Sequence, residues 1–139
     1  DTLQAAILNV KLKYLDQYTE QRQKSAMIYR ELLKDINEIV LPKEISGSTH
    51  VYHQFTIRCK NRDGLKEFLE KRGVPSMIYY PYPVHKQPAF MSRVIKRCET
   101  PVSDSIVQEV LSLPMHTELN YDEQLYIAES IKQYYSKKQ

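Results

Sequence analysis

The sequence predicts an α+β domain of two layers, a short three-stranded sheet packed against helices and preceded by a long helix. Three observations carry that expectation. Residues 2–36 contain no glycine or proline and repeat apolar side chains at helical spacing. The stretch HVYHQFTIR, His50 to Arg58, alternates with a period of two and is rich in β-branched and aromatic types. Near the C-terminus NYDEQLYIAESIKQYY returns to helical spacing behind a capping box. At 139 residues, with 42% hydrophobic and 27% charged side chains, the chain has the size and composition for one hydrophobic core.

The first helix opens with Asp1 at or close to the cap position, followed by Leu3, Ile7, Val10 and Tyr14 on one line and Ala5, Leu8, Leu12 and Leu15 beside it. It reads as one helix to about Ile36, or as two with a bend near Thr19. Its apolar stripe is broad over the first four turns and then narrows to Ala26, Tyr29, Leu33 and Ile36. The broad part must be covered, either by this domain or by something outside it. A chain that starts in helical rhythm without an initiator Met reads as a fragment of a longer polypeptide.

Asp35 to Ser48, with Pro42 and Gly47, reads as a connector. In the following strand Val51, His53, Phe55 and Ile57 form the inward set, which makes His53 a core histidine. Asn61 to Gly64 form a turn, and LKEFLEKRG is a short amphipathic helix ending at Gly73 as C′ residue. SMIYY, Ser76 to Tyr80, is the second strand. Beyond it Pro81, Pro83 and Pro88 fix φ and push their predecessors toward extended geometry, so Pro81 to Pro88 reads as a stiff arm bearing Tyr82 and His85. The polar stretch MSRVIKRCET is irregular. Thr100 then caps a helix from Pro101 to about Glu109 that buries Val102, Ile106 and Val110. A short strand runs from Leu111 to Met115, and Asn120 with Glu123 starts the last helix, whose apolar face is Leu125, Ile127, Ala128, Ile131 and Tyr134.

Composition narrows the function. Twenty basic against 17 acidic residues give a net charge of +3, scattered along the chain, too weak a bias for nucleic-acid binding. Nothing approaches the run of roughly 20 apolar residues of a membrane helix, and no signal peptide opens the chain, so a cytoplasmic location is expected. Cys59 and Cys98 lack metal or redox spacing, and His50, His53, His85 and His116 form no compact ligand set. No metal is expected.

Four stretches in this order carry a resemblance: DTLQAAIL at Asp1 to Leu8, VYHQFTIR at Val51 to Arg58, YPYPVHKQPAF at Tyr80 to Phe90, and EVLSLPM at Glu109 to Met115. Together they resemble the C-terminal part of the DegT/DnrJ/EryC1/StrS sugar aminotransferases, pyridoxal-phosphate enzymes of the aspartate aminotransferase fold. The resemblance implies that residues 1–36 are a long interdomain helix and 37–139 the small domain. It also implies that a large domain elsewhere in the same chain holds the cofactor and its Schiff-base lysine. No lysine here stands in a context resembling that motif, so no catalytic residue and no bound cofactor are expected in this part.

The implied activity of the whole protein, expected as a homodimer, is transfer of an amino group, usually from glutamate, to a keto-sugar carried on a nucleoside diphosphate. This part would close one side of the substrate cleft and be inactive alone. Tyr79, Tyr80 and His85, and more weakly Lys86, are the candidate substrate contacts, offering hydroxyls, an imidazole and an ammonium to sugar hydroxyls or diphosphate oxygens. For His85 a buried hydrogen bond that holds the arm in shape is an equal alternative. The arm departs from the family pattern: Tyr79 stands where histidine is common and Phe90 where tyrosine is common. Substrate identity therefore does not carry over. An alternative from another class is a freestanding interaction module without catalysis, favoured if a start codon directly precedes Asp1.

Overall fold

The computed structural model describes residues 1–91 and 99–137. Its elements are α1 (Thr2–Leu12), α2 (Leu15–Leu33), β1 (Ile39–Val40), β2 (Phe55–Cys59), α3 (Arg62–Glu70), a 3-10 turn (Val84–Lys86), α4 (Pro88–Met91), α5 (Pro101–Ile106), β3 (Val110–Leu113) and α6 (Tyr121–Ser136). The expected irregularity of MSRVIKRCET falls largely on residues 92–98, outside the described ones.

The first helix is two helices, and they part at Lys13–Tyr14 rather than near Thr19. Tyr14 leaves helical geometry at φ −112°, ψ 7°, with its N–H tightened onto the Lys11 carbonyl at 3.0 Å. The consequence is a division of labour. Helix α1 buries no side chain, and Leu3, Ile7, Leu8, Val10 and Leu12 are all at least half exposed, whereas α2 inserts Ser25, Ala26, Tyr29 and Leu33 into the core. Asp1 does cap α1, its carboxylate accepting from the Gln4 N–H at 2.9 Å.

The sheet is antiparallel in the order β1-β2-β3, with Ile39 opposite Cys59, Phe55 opposite Leu113 and Arg58 opposite Val110. Phe55, Ile57 and Leu111 are fully buried under α2, α3 and α6, each contributing about 1.5–3 kcal/mol by burial. Three strands are present, as the sequence predicts, but not the same three. Ile39–Val40, inside the expected connector, supplies the edge strand. SMIYY forms only a single bridge, Met77 exchanging both backbone bonds with Ser112 at 3.1 and 2.7 Å. Pro75 on one side and Pro81 on the other leave no room for a longer ladder.

The strand expected from His50 begins only at Phe55, and this reverses the inward set at its start. Tyr52 takes a positive φ of 47°, its N–H donates to His50 Nδ1 at 2.9 Å, and its ring enters the core while Val51 and His53 face outward. Arg30 donates to the Tyr52 hydroxyl at 3.1 Å, which in turn donates to Glu44 at 2.5 Å. These bonds offset a backbone conformation that bulky residues rarely adopt.

Helix α3 ends as predicted. Gly73, at φ 72°, donates to Glu70 O at 2.9 Å while Val74 donates to Leu69 O at 2.9 Å, the Schellman pattern. Helix α6 starts with the Asn120–Glu123 capping box and is tied to α2 by buried Gln124, which donates to the Ser25 carbonyl at 2.8 Å. Helix α5 is shorter than expected and buries nothing: Val102 is 70% exposed, and Val110 already belongs to β3. No helix among the described residues is long and apolar enough to cross a membrane.

Candidate functional site

The end of β3 and the bridge at Met77 set the site. Because Ser112 pairs with Thr56 of β2 on one side and, antiparallel, with Met77 on the other, the segment entering Met77 from Pro75 runs beside the segment leaving β3 at Leu113 and Pro114. The space between them and the turn preceding Phe55 is a cleft of about 320 Å³, into which His53, Gln54, Tyr79 and His116 project with Met77 and Met115. A larger groove of about 820 Å³ shares His53, Met115 and His116 and has Leu8, Leu12 and Leu15 as its opposite wall. The two meet at the histidines.

Tyr79 is the predicted site residue that lies on the cleft, 37% exposed and in edge contact with Tyr80, ring centroids 5.6 Å apart. Tyr80, 67% exposed, stands outside the cleft lining and is available to solvent. The arm beyond them is less extended than predicted. Prolines fix Pro81 to Pro83, but Val84–Lys86 close into a 3-10 turn and Pro88–Met91 into a helical turn. The bonds Lys86 N–H to Pro83 O and Gln87 N–H to Val84 O, at 2.9 and 3.1 Å, are local and fold the arm back on itself.

His85 and Lys86 do not reach that cleft. Lys86 Nζ lies 2.8 Å and His85 Nε2 3.2 Å from Asp104 Oδ1, and the Thr100 hydroxyl is 3.2 Å from His85 Nε2 and 3.3 Å from Nδ1. The ammonium of Lys86, through its hydrogen bond and its charge, holds the Asp104 carboxyl below the usual carboxylate range against a desolvation that pushes it up. Among the described residues no group of three or more His, Cys, Asp or Glu side chains is placed to hold a metal ion.

Sequence reading missed His53 and His116 as cleft residues, and Thr100 and Asp104 as holders of the arm. For His53 the alternation pointed the wrong way because the turn at Tyr52 is invisible in a period-two count. His116 follows Pro114 and Met115 directly after a strand, a place where loops carry function, and that signal was there to use.

The profile of the DegT/DnrJ/EryC1/StrS aminotransferase family matches residues 1–132. The chain belongs to that family. It is 45% identical over 137 residues, 97% of its length and 37% of the relative's, to a protein of Geobacillus stearothermophilus named pleiotropic regulatory protein. It is 38% identical over 132 residues to the UDP-N-acetyl-3-dehydro-α-D-glucosamine 3-aminotransferase of Acidithiobacillus ferrooxidans, covering 95% of this chain and 35% of that one. The structure superposes with a TM-score of 0.88 on DesV of S. venezuelae, solved with a ketimine intermediate, at 31% identity over 94% of this chain and 35% of that one. Further relatives are named as transaminases of dTDP-linked amino sugars. The chain thus spans about a third of the length of these relatives, and its α+β fold is that of the corresponding part of the DegT-family aminotransferases.

Proposed function

We propose that the complete protein is an aminotransferase that moves an amino group from glutamate to a keto-sugar linked to a nucleoside diphosphate, and that this domain forms one wall of the substrate cleft without catalysing alone. The observation that carries the reading is the convergence of Tyr79, His53 and His116 on one open cleft, in a chain whose relatives bear the names of nucleotide-sugar aminotransferases. Hydroxyl, imidazole and amide groups over an apolar floor of Met77 and Met115 suit a sugar, which offers both hydroxyls and C–H faces. Tyr79 is the contact inside the cleft, and Tyr80, exposed at its edge, meets the part of the substrate that extends beyond it; His85 and Lys86 contribute through the shape of the arm and reach substrate only if Asp104 releases them.

Pyridoxal phosphate supplies the electron sink of such a reaction. The described residues do not fit its attachment. A Schiff-base lysine is desolvated or set beside another cation so that its amine is reactive, and no described lysine is buried. The cofactor is therefore assigned to the remainder of the protein, a large domain of the same chain that would also cover the exposed face of α1, in a homodimer. What this chain's residues do is bind and orient the sugar and keep bulk water from it.

The test is amination by the full-length protein, with glutamate as donor and UDP-N-acetyl-3-dehydro-glucosamine and a dTDP-linked 3-keto-6-deoxyhexose as acceptors, beside the 139-residue chain alone. Amino-sugar formation by the former and none by the latter is the expected result. Turnover by the isolated chain, or no amination of either acceptor by the full-length protein, would reject the reading.

A further inference from the structure

Helix α5 has no packing role that explains it. It buries no side chain, yet two polar groups at its start are turned to the arm. Thr100, at the cap position, makes no side-chain bond to its own helix, forgoing the usual cap. Its hydroxyl lies instead against the His85 ring, 3.2 Å from Nε2. Asp104, one turn on, is two-thirds buried and has Oδ1 shielded from solvent, its neighbours there being Lys86 Nζ and His85 Nε2 at 2.8 and 3.2 Å. Among the described residues, these are the side-chain bonds and ion pairs that tie residues 81–90 to the rest of the fold; the backbone bonds of that stretch are local.

We infer that Asp104, assisted by Thr100, is the positioning residue of the arm: its carboxylate pins His85 and Lys86 and thereby sets how the Tyr79–Tyr82 stretch stands beside the sugar cleft that Tyr79 lines. The inference rests on the proposed reading for its effect on sugar, but not for its effect on the arm. The mechanics are simple. Pro81 and Pro83 make the segment between Tyr80 and Val84 stiff, so an anchor at His85 and Lys86 is transmitted to Tyr80 and Tyr82 rather than absorbed. A single carboxylate that lies against side-chain nitrogens of two consecutive residues also fixes the rotation of the 3-10 turn that carries them. Its charge is compensated by Lys86, so the anchor places no net negative charge beside a cleft intended for a diphosphate-linked substrate.

Two measurements on the full-length protein test it, with Asp104→Asn and Asp104→Glu. Hydrogen–deuterium exchange needs no substrate: Asp104→Asn is expected to speed exchange of the amides of residues 84–90 by roughly tenfold while those of α2, β2 and α6 keep the wild-type rate. Unchanged exchange in 84–90 would overturn the inference whatever the enzyme's substrate. In steady-state assays with the acceptor that the wild type turns over, Asp104→Asn raises KM for that nucleotide sugar about tenfold with the glutamate half-reaction untouched, and Asp104→Glu restores most of the loss. Equal losses in both half-reactions would mean that Asp104 is merely structural. A lower KM in Asp104→Asn would mean that the carboxylate masks Lys86, and would equally overturn the positioning role. Failure of the wild type to aminate either acceptor rejects the proposed function and leaves the exchange experiment to judge Asp104.

Discussion

Tyr29 donates its hydroxyl to the carbonyl of Pro114 across 3.0 Å, which ties the C-terminal part of α2 to the residue where β3 turns into the wall of the cleft. The ring is fully buried against Phe55, centroids 5.0 Å apart, and burial, with the charge of Glu123 second, pushes the phenol well above its ordinary range. It is therefore a neutral donor at every working pH. Tyr29→Phe keeps the packing and removes the bond, so stability should fall by about 1 kcal/mol in denaturant unfolding. Hydrogen exchange at Met115 to Glu118 should quicken at the same time. An unchanged midpoint would show that Pro114 is held by something else.

Gly64 sits inside α3, where replacement by alanine ordinarily helps by roughly 0.5–1 kcal/mol. Here a Cβ would run into the hydroxyl of Tyr134, which is held by Asn61 Nδ2 at 2.7 Å at the end of a buried ring, and would meet the Asn61 amide itself at 2.8 Å. Gly64→Ala is thus expected to destabilise, by about 1–2 kcal/mol. In a Tyr134→Phe background the hydroxyl is gone, the Asn61 amide loses that partner and can turn aside, and the same change should cost less than in the wild type. Thermal melts of the four proteins close this cycle.

Cys59 is buried at the end of β2, and burial pushes its thiol from an ordinary 9.0 up to about 11. The neutral form is the one the fold accommodates. Its contribution to stability is thus complete below the unfolded thiol's value and is lost as pH rises from there through about 11. Alkylation by iodoacetamide near pH 8.5, mapped by mass spectrometry, should label Cys59 at least about tenfold more slowly in the native protein than in denaturant. Equal rates would show an open thiol.

The parts of this fold that sequence made legible are those set by local chemistry. Asn120 with Glu123, and Gly73 after the amphipathic run of α3, act within a few residues of themselves, and both appear as expected. What was hidden depends on distant partners. Tyr52 holds a positive φ while Arg30 donates to its hydroxyl, Glu44 accepts from it and Phe55 packs against its ring, and that shift carries His53 from the expected core to the cleft. SMIYY has the composition of a strand, but it forms one bridge, Met77 with Ser112 on the free edge of β3, between Pro75 and Pro81. The break at Tyr14 separates a helix with a core from one without, and no glycine or proline marks it. In the site, Tyr79 lies on a cleft, where the arm was expected to put it; the pairing of His85 and Lys86 with Asp104, eighteen or more residues away in sequence, had no local signal.

The claim on which the account turns is that Tyr79 faces the sugar, and a comparison of half-reactions in the full-length protein tests it most directly. Tyr79→Phe should lower kcat/KM for the nucleotide keto-sugar by roughly 2- to 12-fold, the worth of one hydrogen bond, and Tyr79→His should alter the preference between UDP- and dTDP-linked acceptors. Both variants should leave the glutamate half-reaction, followed by the cofactor's absorbance, at the wild-type rate. Wild-type kinetics with both acceptors, or a glutamate step slowed as much as the sugar step, would contradict the account.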